Sequence, residues 1–157
     1  MADNLPYRKC VGIMLLNSSR MIFVGRCKNN RSEVWLMPQG GIDGGEHPEQ
    51  AVMRELKEEI GTDKAEIIAK SNKWYNYDVP EELRVKLLGG KYRGQTQKWF
   101  VLKFTGEDSD IDINTETPEF MEWKWIQSSS VPFLIVPYMR KLYQDVISEF
   151  RQLGYIS

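Results

Sequence analysis

Apolar residues recur along this chain at two different spacings. Lys9 to Leu16 is an almost unbroken apolar run and reads as a strand, Met21 to Arg26 reads as a second, and Asn17-Ser18-Ser19 supplies the turn of a hairpin between them. Ala65 to Ser71, Lys98 to Phe104 and Glu122 to Ile126 read as further strands, the last followed by a Ser128-Ser129-Ser130 loop. Two segments switch to helical spacing. Over residues 47 to 60, Val52, Met53, Leu56 and Ile60 fill one arc while Glu55, Glu58 and Glu59 fall within a separate arc of roughly 100°. Pro137 to Leu153 places Leu142, Val146 and Phe150 four residues apart, which predicts a second amphipathic helix.

The end signals of the first helix set its register. Pro48 suits the first helical position, Glu49 suits the positive end of the helix dipole, and Gly61 suits the left-handed turn that ends a helix. Just before it, Gly40-Gly41 and Gly44-Gly45 allow close backbone approach and positive φ, as a loop wrapped around a helix terminus or a phosphate requires. Strands interspersed with helices imply an α/β fold with a mixed sheet and helices on both faces.

A length of 157 residues fits one domain over 1–157 that buries roughly two thirds of its unfolded surface. The segment from Met1 to Pro6 lacks the basic and apolar regions of a signal peptide, and no stretch approaches the ~20 apolar residues that span a bilayer, so the expectation is a cytoplasmic protein with no membrane contact. Cys10 and Cys27 lack metal-like spacing, and neither is assigned chemistry. The net charge of −1 argues against a general polyanion binder. Its distribution says more. From Leu83 to Gly106 six basic residues occur with no acidic one, and from Glu107 to Glu122 seven acidic residues with no basic one. These are either a pair of solvated loops, or a basic stretch that holds an anionic substrate beside an acidic one that supplies a metal ligand.

Arg54 and Glu58 could form an ordinary i,i+4 pair on a solvated helix face. The order from Gly40, however, is Gly, five residues, Glu46, seven residues, then Arg54-Glu55-Leu56-Lys57-Glu58-Glu59-Ile60-Gly61. That pattern resembles the Nudix box of nucleoside-diphosphate-X hydrolases over residues 40–62, with Thr62 where the family usually has an aliphatic residue. The resemblance implies a Nudix α/β/α sandwich and a site using Mg²⁺, with Mn²⁺ or another divalent metal able to substitute. It makes Glu58 and Glu59 principal metal ligands, Glu55 either a further ligand or the general base, and Gly40 part of the metal site. Arg54 is read as orienting the glutamates by ion pairing.

Segments outside the box resemble one branch, the bacterial RNA pyrophosphohydrolases and related dinucleoside polyphosphate hydrolases. They are Tyr7-Arg8, Trp35 to Gly41, Gly94-Gln95-Thr96-Gln97-Lys98-Trp99-Phe100, Thr117 to Phe120 through Trp125, and Val136-Pro137-Tyr138. By this resemblance Glu119 is a metal ligand outside the box, Gln39 and Lys98 fall among substrate-binding positions, and Arg8 and Arg26 match positions near the phosphates or first bases. Tyr138 falls where that branch has a base-stacking aromatic. Surface charge at Arg8, a strand flank at Lys98 and helix-start packing at Tyr138 are the plain alternatives. Trp99, Trp123 and Trp125 are read as core.

The implied substrates are the 5′ end of RNA or a dinucleoside polyphosphate. Tyr77 to Glu82 and Leu87 to Gly94 look closer to the dinucleotide hydrolases, so a dedicated dinucleoside polyphosphate hydrolase is the alternative enzyme. A non-catalytic nucleotide-binding module is the alternative of a different class.

Overall fold

The computed structural model describes residues 4–28 and 33–157, so Met1 to Asp3 of the amino-terminal segment lie outside the described residues. Strand β1 (Tyr7–Leu16) turns at Asn17 into β2 (Ile22–Cys27), and the short strands β3 (Trp35–Leu36) and β4 (Gln39–Gly41) lead to helix α1 (Pro48–Ile60). Strands β5 (Ala65–Lys70) and β6 (Tyr75–Asp78) precede the short helix α2 (Arg84–Leu88). The long strand β7 (Gly94–Phe104), β8 (Phe120–Ile126) and helix α3 (Pro137–Gln152) complete the fold.

The sheet is mixed. β1 and β7 run parallel in an unbroken register from Tyr7 opposite Gly94 to Leu16 opposite Lys103, whereas β4 on β1, β5 and β6 on β7, and β3 and β8 on β2 are all antiparallel. The central pair is apolar because it is covered. Val11, Ile13, Met14 and Leu15 of β1 and Trp99 to Leu102 of β7 are fully buried, as near-continuous hydrophobic runs in a parallel pair require. Helix α1 packs on β1 and β4 through Val52, Leu56 and Ile60, and α3 packs by β6 with Leu142, Tyr143, Val146 and Phe150 buried. Among the described residues no helix is long and apolar enough to cross a membrane.

Both predicted helices form, α3 starting at its proline and α1 with its expected end signals. His47 precedes α1 and its backbone N–H donates to Gln50 Oε1 at 2.9 Å, while Gly61 takes the left-handed conformation with φ 77°. Thr62, the departure from the box pattern, is buried, and its hydroxyl accepts the Lys64 backbone N–H at 3.1 Å.

Several boundaries differ from expectation. β7 starts at Gly94, four residues before the expected Lys98, because Gln95 and Gln97 face inward and are bonded there. β8 starts at Phe120, and the Ser128–Ser130 loop is the first half of a 3₁₀ helix, Ser128–Phe133. The stretch from Leu83 to Gly106 is not a solvated loop, since it holds all of α2 and all of β7. Trp99 is core as expected, but Trp123 and Trp125 are only half-buried, and the Trp125 indole donates to Asp108 Oδ1 at 3.0 Å.

Candidate active site

A cleft of about 620 Å³ opens between α1, the β4 segment, α2 and the segment entering β8. Glu55, Glu58 and Glu59 line it from α1, and Glu119 lines it from the acidic stretch. Arg8, Gln39 and Gly40 line it too, together with Lys86 from the basic stretch and two residues that sequence reasoning did not assign, Lys28 and Gln95.

The three helix glutamates occupy graded environments. Glu58 has a side chain 57% exposed, Glu55 only 14%, and Glu59 is buried at 6%. Burial pushes the Glu59 carboxyl well above its ordinary range, and the charges of Glu55 and Glu119 push it further. The Gln39 backbone N–H opposes this in part, yet Oε2 is buried without a hydrogen-bond partner. Burial also raises Glu55, opposed by its hydrogen bond from Arg54.

Gly40 leaves room for this packing. A Cβ there would overlap the Glu55 carboxylate, and a Cβ on Gly41 would overlap the Arg8 guanidinium. The glycine pair thus brings an acidic helix face and a basic side chain against one stretch of backbone. Arg54 holds the arrangement from behind. Its Nη1 donates to Glu55 Oε1 at 2.8 Å and Glu58 Oε2 at 3.2 Å, and its Nη2 donates to the Gly41 carbonyl at 2.8 Å. It does not line the cleft, and its hydrogen bonds run to the glutamates that do.

A hard divalent cation fits this donor set. Such ions take oxygen ligands, and four carboxylates with one buried, unpartnered oxygen offer them. Among the described residues no three of these carboxylates are grouped so as to hold an ion together, and Arg54 bridges two of them.

Three predicted substrate-binding residues lie outside this cleft. Arg26 pairs with Glu122, Nε to Oε1 at 2.7 Å. Lys98 follows Gln97 in β7, so strand alternation turns it to the face away from Gln95 and Gln97. Tyr138 starts α3 and stacks on Tyr77, with ring centroids 6.1 Å apart.

Residues 6–146 match the NUDIX domain family. The chain belongs to the Nudix family, whose hydrolases generally use divalent metal ions. It is 51% identical over 150 residues to the RNA pyrophosphohydrolase of Rickettsia conorii, covering 96% of this chain and 93% of that protein. It is 52% identical over 149 residues to the RNA pyrophosphohydrolase of Rickettsia bellii, covering 95% and 92%. The fold also matches that of the E. coli dihydroneopterin triphosphate pyrophosphohydrolase, with a TM-score of 0.67 at 18% identity, over 91% of this chain and 98% of that one. The C. elegans Ap4A hydrolase binary complex matches with a TM-score of 0.63 at 17% identity, over 91% and 98%.

Proposed function

We propose that this chain is an RNA 5′-pyrophosphohydrolase that converts 5′-triphosphate RNA to 5′-monophosphate RNA and also hydrolyses dinucleoside polyphosphates such as diadenosine tetra- and pentaphosphate. The observation that carries the reading is one cleft lined by four carboxylates and by Arg8 and Lys86. Carboxylates alone would repel a polyphosphate, and cations alone would not hold a divalent ion. The relatives' shared name, at 51% identity over nearly the whole chain, supports RNA as the first substrate.

Glu55, Glu58, Glu59 and Glu119, with the Gly40 backbone, would hold Mg²⁺, and Mn²⁺ or another divalent metal could substitute. When bound, the ion supplies charge neutralisation at the phosphate oxygens and an acidified water. Arg8 binds the polyphosphate, and Gln39 contributes a polar contact beside it. Attack of water at phosphorus breaks a phosphoanhydride P–O bond, and a cleft carboxylate, Glu55 or another of the set, takes the water's proton. Arg54 keeps Glu55 and Glu58 aimed for this work. The proposal extends to a cytoplasmic enzyme.

The test sets wild type beside Glu58→Gln on triphosphorylated RNA and on diadenosine tetraphosphate. The variant is expected to lose at least about 10²-fold on both, since a bound metal supplies several kcal/mol of transition-state stabilisation. Near-wild-type turnover by Glu58→Gln would sink the metal assignment. Wild-type turnover of the dinucleotide but not of RNA would leave a dedicated dinucleoside polyphosphate hydrolase, and no turnover of any pyrophosphate with Mg²⁺ or Mn²⁺ would leave a binding module.

A further inference from the structure

A run of hydrogen bonds connects the buried sheet to the cleft wall. The Trp99 indole N–H points at Gln97 Oε1 at 3.0 Å. An indole nitrogen only donates, so this contact fixes which end of the Gln97 amide is oxygen. Its Nε2, at the other end, then donates to Gln39 Oε1 at 2.8 Å and to Gln95 Oε1 at 2.8 Å. Exchanging nitrogen and oxygen in any of the three amides would set donor against donor or acceptor against acceptor. The amide directions therefore follow from the indole and are not a free choice of flip.

Little in this run can turn. Gln97 and Trp99 are both 0% exposed. The Trp99 ring lies where a Cβ on Gly12 would have to sit, and it meets the Tyr143 ring edge-on at 5.7 Å. Gln39 and Gln95 both line the cleft, and each has its carboxamide oxygen engaged by Gln97. With each oxygen turned toward Gln97, the N–H₂ at the other end of each amide makes none of these bonds and is the group each amide can present away from Gln97.

We propose that Gln97 is a positioning residue that holds the Gln39 and Gln95 amides with their N–H₂ groups toward the cleft, so that this wall donates to the oxygens of a polyphosphate chain. The inference rests on the polyphosphate reading of the cleft and deepens it. Phosphate oxygens only accept, so a wall whose amides are locked as donors matches them. The same two glutamines turned over would present carbonyl oxygens and oppose them.

The test follows the side-chain amide signals of ¹⁵N-labelled protein during titration with inorganic tripolyphosphate, a probe whose binding needs no turnover. The Gln39 and Gln95 signals, identified by their loss in Gln39→Leu and Gln95→Leu, are expected to shift, and that of Gln97 to stay. Gln97→Glu is nearly isosteric but has no N–H₂ to give. It is expected to raise the tripolyphosphate Kd and the substrate KM at least about 10-fold, as for a lost hydrogen bond to a charged oxygen, with kcat within about threefold. Gln97→Met, which frees the two amides without inverting them, is expected to raise KM by only about threefold. An unchanged KM in Gln97→Glu, absence of tripolyphosphate binding, or binding with unshifted Gln39 and Gln95 signals would overturn the proposal. Should Gln97→Glu fail to fold, the wild-type titration and Gln97→Met decide alone. Shifted amides in a protein that turns over no pyrophosphate would overturn the proposed function and leave the positioning role standing. Turnover with unshifted amides would do the reverse.

Discussion

The Glu46 carboxylate receives two hydrogen bonds from the single guanidinium of Arg54, Nε to Oε2 at 2.8 Å and Nη2 to Oε1 at 2.9 Å. This planar, two-point contact lowers the Glu46 carboxyl to about 2, helped by the Asp43 backbone N–H, so the pair stays charged throughout the neutral range. It ties the glycine loop to α1 and leaves Nη1 for Glu55 and Glu58. Lysine would keep the charge and lose the fork. Arg54→Lys is therefore expected to lower kcat about 10–100-fold, as substitutions behind metal ligands do, with the fold retained by circular dichroism. Steady-state turnover checks this, and wild-type kcat would count against an orienting role.

Gly40→Ala tests the close approach of the loop to α1. The added methyl group would occupy the place of the Glu55 carboxylate, which must swing away or push the backbone off the helix. Loss of about 1–3 kcal/mol of stability is expected from overpacking, together with at least about a 10-fold fall in turnover. Denaturant melts and initial rates measure the two effects separately. A variant as active as wild type would show that Glu55 does not need its present position.

Asp78 gives a prediction about acid stability. Its Oδ2 accepts Arg93 Nη2 at 2.7 Å and Nε at 3.2 Å, and Oδ1 accepts the Tyr7 hydroxyl. Arg93 first, and then Tyr7, hold the folded carboxyl below its ordinary value. The native state therefore binds this proton less readily than the unfolded chain, whose aspartate titrates near about 3.9. The contribution is full above that value and disappears as pH falls through the lower folded one. Urea melts across the acid range are expected to show a shallower loss of stability for Asp78→Asn than for wild type, and parallel curves would contradict this.

Tyr143 links α3 to the segment between β3 and β4. Its hydroxyl accepts the Met37 backbone N–H at 3.0 Å, and both residues are fully buried. Tyr143→Phe would leave that N–H buried without its acceptor, at a cost of about 1–3 kcal/mol. A lower denaturation midpoint with an unchanged m-value is the expected result. No change in midpoint would mean that Met37 finds another acceptor.

Patterns carried by many residues were legible in the sequence. The buried runs of β1 and β7 and the arcs of α1 each involve several side chains, and their elements lie close to where apolar spacing places them. Elements carried by two to five residues were not. β3 and β4 exist because partner strands pair with them, and β6 shows only Tyr75 and Tyr77 facing inward across four positions. Within the site, helical spacing groups Glu55, Glu58 and Glu59, but it does not show that Glu59 is far more buried than Glu58. Gln95 and Gln97 had a readable signal, since residues two apart in a strand share a face. Polar side chains there look like an exposed face until Trp99 and Gln39 are seen bonded to them. Lys98 sits in the same motif and points away, so a short motif does not by itself say which of its side chains reach a ligand.

The parallel ladder between β1 and β7 also bears on the order of assembly. Arg8 and Gln95 are register partners and both border the cleft, yet most of the chain separates them along the backbone. Helix α1 needs only neighbouring residues to begin forming, whereas the wall beside it requires closure of that long loop, whose entropic cost falls before any cleft contact can offset it. On a growing chain the glutamates are thus made early, and the surface that completes their pocket becomes possible only once β7 has been synthesised.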